Sequence, residues 1–140
     1  MKIKLDPGAI APMRMHRTDA GMDIFANENV VVPANDHRTV RTGVHVQLPA
    51  GTCGILMSRS GMNIRYGITT TGLIDEGYTG EILVSVINGG SDCYQINRGD
   101  RITQLIVVPV LYEPVEIVND LDYPGPGGRG TNGHGSTGLR

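Results

Sequence analysis

The sequence predicts an all-β domain, a sandwich or distorted barrel of the jelly-roll kind. Three observations carry this. Twenty glycines and eight prolines in 140 residues leave little room for long helices. Turn-forming runs (PAND, LPAG, RSG, DEGYTG, NGGSD, NRGD) punctuate the chain at the close, regular spacing of short strands. Between them lie apolar segments with a two-residue period. The clearest is TVRTGVHVQL (39–48), with Val40, Val44, Val46 and Leu48 on one face and Arg41, His45 and Gln47 on the other.

In chain order the candidate strands are 2–5, 23–25, 29–32, 39–48, 52–58, 66–70, 81–88, 93–96 and 101–111. KIKL (2–5) is one of the shorter candidates. EILVSVIN (81–88) and RITQLIVVPVL (101–111) are apolar on both faces, which suits strands held between two layers. The one helix candidate is a turn or so in SGMNIR, 60–65. With no Trp and one Phe, the core must come from Val, Ile, Leu and Met. The length suits a single domain over 1–123. Residues 124–140 read as a glycine-rich, flexible C-terminal arm, and no internal repeat is visible.

Composition also excludes function classes. A formal charge of −2 carries no polybasic footprint, so stable nucleic-acid binding is not expected. No apolar run reaches membrane-spanning length, and MKIKLDPGAI lacks the apolar stretch of a signal peptide. Cys53 and Cys93 match no CxxC or zinc spacing and are expected to be buried, reduced thiols. A cytoplasmic location follows. No two of His16, His37, His45 and His134 stand at ligand spacing, which argues against a zinc site. Carboxylates combined with arginines suit Mg²⁺ held mainly by substrate phosphates.

Five polar clusters sit at the punctuation, where a rigid scaffold places chemistry. DAGMDIFA (19–26) sets Gly21 and Asp23 at a strand start. SRSG (58–61) offers Arg59, hydroxyls and backbone amides to a phosphate oxygen. GLIDEGYTGEI (72–82) places Asp75 after Leu73–Ile74, where a semi-buried carboxylate can orient and deprotonate a water, with Tyr78 close by. GDRITQL (99–105) puts the Gln104 amide among isoleucines, so that either the protein or a ligand must satisfy it. GPGGRGTNGHGSTGLR (125–140) has two glycines at P-loop spacing, but His134 stands where the P-loop lysine belongs and no helix can follow, so it is not a P-loop.

Taken in order, these clusters resemble the five motifs of the homotrimeric dUTP pyrophosphatases (dUTPases): AGMDIFA, SRSG, GLIDEGYTGEI, GDRITQL and RGTNGHGSTG, spanning about residues 19–138. The resemblance implies a dUTPase-like jelly-roll barrel that assembles as a trimer with shared active sites. It implies that dUTP is hydrolysed to dUMP and pyrophosphate, with Asp75 as general base for the water attacking the α-phosphorus. Arg59, Ser60, Gly61 and Gln104 would contact the phosphate chain. Asp23 would stand near Mg²⁺ through water, and Tyr78 would pack under the deoxyribose. Ile68 to Gly72 would form the uracil pocket. From the arm, Arg129 would reach the γ-phosphate, His134 would stack on the base, and Gly135, Ser136 and Thr137 would follow the triphosphate.

The chain departs from this pattern twice. MNIRYGITTT (62–71) is shorter than the family's usual segment and lacks Asn-x-Pro, and His134 replaces the usual Phe. Two rival readings share the fold: a dCTP deaminase, alone or bifunctional, and a dUTPase-like module that senses nucleotide or binds a protein partner. A carbohydrate-binding jelly roll would account for the strands but not for the ordered motifs.

Overall fold

The computed structural model describes residues 1–121 and Gly125. It is almost entirely β. In chain order the elements are β1 (Lys2–Leu5), β2 (Met22–Phe25), β3 (Val30–Val32), β4 (Asp36–Gln47), β5 (Thr52–Met57), α1 (Ser60–Tyr66), β6 (Ile68–Ile74), β7 (Glu81–Asn88), β8 (Tyr94–Ile96) and β9 (Arg101–Pro109). Seven strands form one curled sheet in the order β1-β4-β7-β6-β5-β9-β2, and β3 pairs with β8 in a second sheet. All pairings are antiparallel. This is the distorted jelly roll the turn spacing predicts.

The core is aliphatic, as the shortage of aromatics requires. Ile24, Val40, Val44, Val84, Val86, Ile102 and Leu105 have no exposed surface. Buried hydroxyls are bonded rather than stranded, which avoids a penalty of about 1–3 kcal/mol each. Thr70 Oγ1 donates to Thr103 Oγ1 at 2.9 Å, and Thr103 Oγ1 donates to the Met57 carbonyl at 3.0 Å. These two bonds tie β5, β6 and β9 together beneath the site described below.

Several local expectations change. β6 runs to Ile74 rather than ending near residue 70, because residues 71–74 pair with β5 while 68–71 pair with β7. β7 is not covered on both faces in the single chain: Val84 and Val86 point inward, whereas Leu83 is 51% and Ile87 43% exposed. Cys93 lies exposed just before β8 and Cys53 is only partly covered in β5, so neither is the fully buried thiol anticipated; both are free. After β9, residues 111–120 form no strand or helix and remain exposed.

β4 is interrupted by a bulge between Arg41 and His45, where its register against β7 shifts. Thr42 fills the gap, its hydroxyl donating to the Ile82 carbonyl at 2.7 Å and accepting from the Val44 amide at 3.1 Å. Glu81 closes the bulge by accepting from the Gly43 amide at 2.8 Å and pairing with the Arg41 guanidinium at 3.0 Å. Burial pushes the Glu81 carboxyl up, but the hydrogen bonds from Arg41 and Gly43 outweigh it and hold the group below its ordinary value. The stability it contributes is therefore present above the usual carboxylate range and is lost as pH falls through the lowered value. Urea denaturation across the acid range should show a weaker acid dependence in Glu81→Gln than in the parent protein. An identical acid limb in both would remove Glu81 from this role.

Candidate active site

The predicted residues form two clusters at opposite ends of the β5–β6 hairpin. The first is built around Asp23, which lies inside β2 directly opposite Gln104 of β9. Asp23 is only 4% exposed, so its charge requires close partners. It has two. Arg59 Nε donates to Oδ1 and Arg101 Nη1 to Oδ2, each at 3.1 Å. Gln104 Nε2 approaches Oδ1 at 3.5 Å, so the protein itself gives this amide its partner. Arg59 Nη1 also donates to the Arg101 carbonyl at 3.2 Å, which fixes the plane of the guanidinium. Gly21 is required by this packing: a Cβ there would stand 2.9 Å from Gln104 Cβ.

Local sequence explains how Arg59 is presented. Ser58 ends the β5 run by bridging to β6, its hydroxyl donating to the Thr70 carbonyl at 3.0 Å and accepting from the Thr70 amide at 2.8 Å. Arg59 is then extended (φ −74°, ψ 128°) at the start of α1, and its carbonyl accepts from the Met62 and Asn63 amides. No side chain caps this helix start, and Ser60 and Gly61 lie exposed at it. Met62 anchors the helix in the core.

Arg101 was not among the residues singled out from the sequence. Strict strand alternation puts Arg101 and Gln104 on opposite faces of β9. A shift in the β2–β9 register between Ile24 and Phe25 is what lets both reach Asp23. Only the adjacent NRGD turn hinted at an irregularity there.

The second cluster is the turn 75–80 between β6 and β7. Asp75 follows the last residue of β6, as expected, but it is exposed in the single chain rather than semi-buried. The turn projects beyond the sheet and is fastened to the barrel instead of being sunk in it. The Tyr78 amide donates to the Asp75 carbonyl at 3.2 Å, and the Tyr78 hydroxyl donates to the Glu81 carbonyl at 3.0 Å. A Cβ on Gly80 would collide with the Tyr78 ring, so glycine makes room for that ring. Glu76 accepts from the Gly51 amide at 2.9 Å and from the Tyr112 hydroxyl at 2.8 Å. The Tyr112 hydroxyl, and after it the Gly51 amide, hold the Glu76 carboxyl below its ordinary value, and Tyr112 is raised in return.

Beside Tyr78 lies a cavity of about 150 Å³, lined also by Gly72, Leu73, Ile74, Glu81 and Leu83. It brings together Gly72 and Tyr78, two of the residues assigned to the nucleoside. Ile68 is not with them. Its side chain is 1% exposed in the core and its backbone pairs with Asn88 of β7, so any part it takes in a base pocket falls to its backbone groups and not to its side chain.

The two clusters do not meet in one chain. The pairing of Gly54 with Ile74 sets Asp75 level with Cys53, six residues before Arg59. At the strand rise of about 3.3 Å per residue the separation is roughly 20 Å. Arg129, His134, Gly135, Ser136 and Thr137 lie outside the described residues. Among the described residues, no three His, Cys, Asp or Glu side chains gather as a metal cage, and no helix is long and apolar enough to cross a membrane.

Comparison with known proteins fits this arrangement. The dUTPase family profile matches residues 8–138. The deoxyuridine 5'-triphosphate nucleotidohydrolase of Mycobacterium marinum is 44% identical over 143 residues, covering 97% of this chain and 92% of that protein. The enzyme of the same name from Clostridium novyi is 40% identical, covering 97% and 96%. The Staphylococcus bacteriophage 80alpha dUTPase, solved with dUpNHpp, superposes with a TM-score of 0.90 at 30% identity, covering 99% of this chain and 98% of that one. A mutant form of the dUTPase from phage phi11 of S. aureus, solved with the coordination of a structural Mg(II) ion, gives 0.80 at 30% identity, covering 86% and 97%. With ordered motifs, matching topology and near-complete coverage, this chain belongs to the dUTPase family.

Proposed function

We propose that this protein hydrolyses dUTP to dUMP and pyrophosphate in active sites shared within a homotrimer. The observation that carries the reading is the division of the machinery between the two ends of the β5–β6 hairpin. A phosphate-suited cluster (Arg59, Ser60, Gly61, Gln104) stands at one end, and a base-bearing turn (Asp75, Tyr78) at the other. A second copy of the chain completes each half. The exposed apolar side chains support assembly: Leu83 and Ile87 on β7, and Val115 (92%) and Ile117 (95%) in the segment after β9, are a surface that a subunit interface would bury.

In this reading Asp75 takes the proton from a water that attacks the α-phosphorus, and Arg59 and Gln104 hold the phosphate oxygens as charge moves onto the leaving pyrophosphate. Tyr78 lies against the sugar and excludes a 2′-hydroxyl, with Gly72 bordering the adjoining cavity. From the arm, Arg129 neutralises the γ-phosphate, His134 covers the base, and Gly135, Ser136 and Thr137 follow the triphosphate.

The residues present fit Mg²⁺ as an ion carried mainly by substrate phosphates, since hard oxygen ligands from a triphosphate need no protein cage. Asp23 would meet it through water, because both carboxylate oxygens already accept from arginines; Oδ1 also faces the Gln104 amide, so Oδ2 keeps the lone pair a water needs. When bound, the ion supplies charge neutralisation along the phosphate chain. A cytoplasmic setting accords with the two free thiols.

The test is pyrophosphate release from dUTP, dTTP, dCTP and UTP by purified protein with Mg²⁺. Turnover should be confined largely to dUTP. Absence of dUTP turnover would overturn the reading, and deamination of dCTP would move the chain to the related deaminase chemistry.

A further inference from the structure

We propose that His45 is a positioning residue for the turn 75–80, acting as a doubly protonated imidazole held between two acceptors. This rests on the reading above that Asp75 and Tyr78 act from that turn. His45 lies on β4 just past the bulge, with its side chain 17% exposed. Its Nδ1 is 3.0 Å from the Thr79 carbonyl oxygen, and its Nε2 is 3.2 Å from Asp6 Oδ1. A carbonyl oxygen and a carboxylate oxygen both accept, so each contact is a hydrogen bond only if the ring nitrogen carries a proton. A neutral imidazole carries one proton and can satisfy one of them. Only a ring protonated on both nitrogens satisfies both acceptors at once.

The surroundings bear on that charge from every side. Lys4 of β1 and Glu81 of β7 are the cross-strand partners of His45, one repelling an imidazolium and the other attracting it. Glu81 is already shared with Arg41 and the Gly43 amide, and Lys2 borders a shallow cavity that His45 and Thr79 also line. Asp6 is the direct counter-ion. It is held in place because its amide donates to the Gly43 carbonyl at 2.8 Å. The far acceptor is thus fixed to the bulge, and the near one is the turn.

The turn is fastened at three points, one of them the Tyr78 hydroxyl donating to the Glu81 carbonyl at 3.0 Å. Glu76, beside Asp75, is held by Gly51 and Tyr112, and Thr79, beside Tyr78, is held by His45. Removing one proton from the ring leaves a lone pair facing an oxygen on one side, and one fastening must loosen. Where the Thr79 contact is the one lost, Tyr78 and Asp75 move together.

Imidazole-resolved ¹⁵N NMR against pH, combined with dUTP kinetics, tests this on the full-length protein, His45→Gln and Asp6→Asn. Where the parent outperforms His45→Gln, both ring nitrogens of His45 should carry protons. The kcat/KM advantage of the parent over His45→Gln should be about 10-fold under those conditions and approach unity where the ring carries one proton, with kcat and KM both affected. In Asp6→Asn the amide can turn to donate or accept, so activity should stay near the parental level with the His45-linked pH dependence gone. A singly protonated ring throughout, or a parent-to-variant ratio flat with pH, would overturn the proposal. If the parent fails to turn over dUTP, the functional reading falls, and the NMR result still decides whether the clamp exists.

Discussion

Asp75→Asn is expected to lower kcat for dUTP by about 10²- to 10⁴-fold, the usual contribution of a positioned general base. KM and thermal stability should change little. Asparagine keeps the size and shape of aspartate but cannot take a proton from water. Asp75 is exposed at the end of β6, and none of the side-chain hydrogen bonds that fasten the turn passes through its carboxylate. Glu76, Tyr78 and Thr79 do that work, so the backbone of 75–80 should keep its place in the variant. A full-rate Asp75→Asn enzyme would remove Asp75 as the base. A variant with normal kcat and a large rise in KM would make it a binding residue instead. Single-turnover kinetics separates these outcomes, because it reports the chemical step without product release.

Much of this arrangement was readable from the chain. Two-residue alternation located β4, and turn-forming runs bracketed nearly every strand, because glycine and proline act through local backbone sterics. Residue type and place pick out Arg59 for phosphate, Asp75 for water and Gln104 as an amide that needs a partner, whereas the roles given to Asp23 and Tyr78 come from the resemblance. What was not readable depends on register. Arg101 reaches Asp23 only because of a shift in the β2–β9 ladder, and no local pattern encodes a shift between strands about eighty residues apart. The resemblance gives Ile68 to Gly72 to the uracil pocket through backbone groups, and no local pattern tells that tertiary pairing makes this segment one continuous strand with the Ile68 side chain in the core. Asp75 and Leu83 sit beside apolar neighbours in sequence, which suggests cover, yet both are exposed in this chain because the strand end and the outer face of β7 have nothing packed on them here.

Asp23→Asn should be the most damaging change in the phosphate cluster, and its effect should resist added Mg²⁺. Asp23 binds Arg59 through one oxygen and Arg101 through the other, in a pocket that leaves it 4% exposed. An asparagine has one acceptor oxygen and no charge, and its amide group would face a guanidinium. Breaking a fully buried pair costs about 3–5 kcal/mol. Here the arginine side chains are 26% and 38% exposed and can turn toward water, so about 2 kcal/mol of stability is the expected loss. The functional loss should be larger than that suggests. Without Asp23, the Nη1 bond to the Arg101 carbonyl alone orients Arg59, and Arg101 itself is released. KM for dUTP should rise at least about tenfold, the cost of misplacing a charged phosphate contact. If Asp23 acted chiefly by holding metal-bound water, raising Mg²⁺ should restore much of the activity. If it acts chiefly by anchoring two arginines, saturating Mg²⁺ should leave KM high, and Arg101→Met should reproduce part of the defect. Combining Asp23→Asn with Arg101→Met closes the cycle: strong non-additivity in KM is expected of residues that share one carboxylate, and simple additivity would mean that Arg101 and Asp23 act independently.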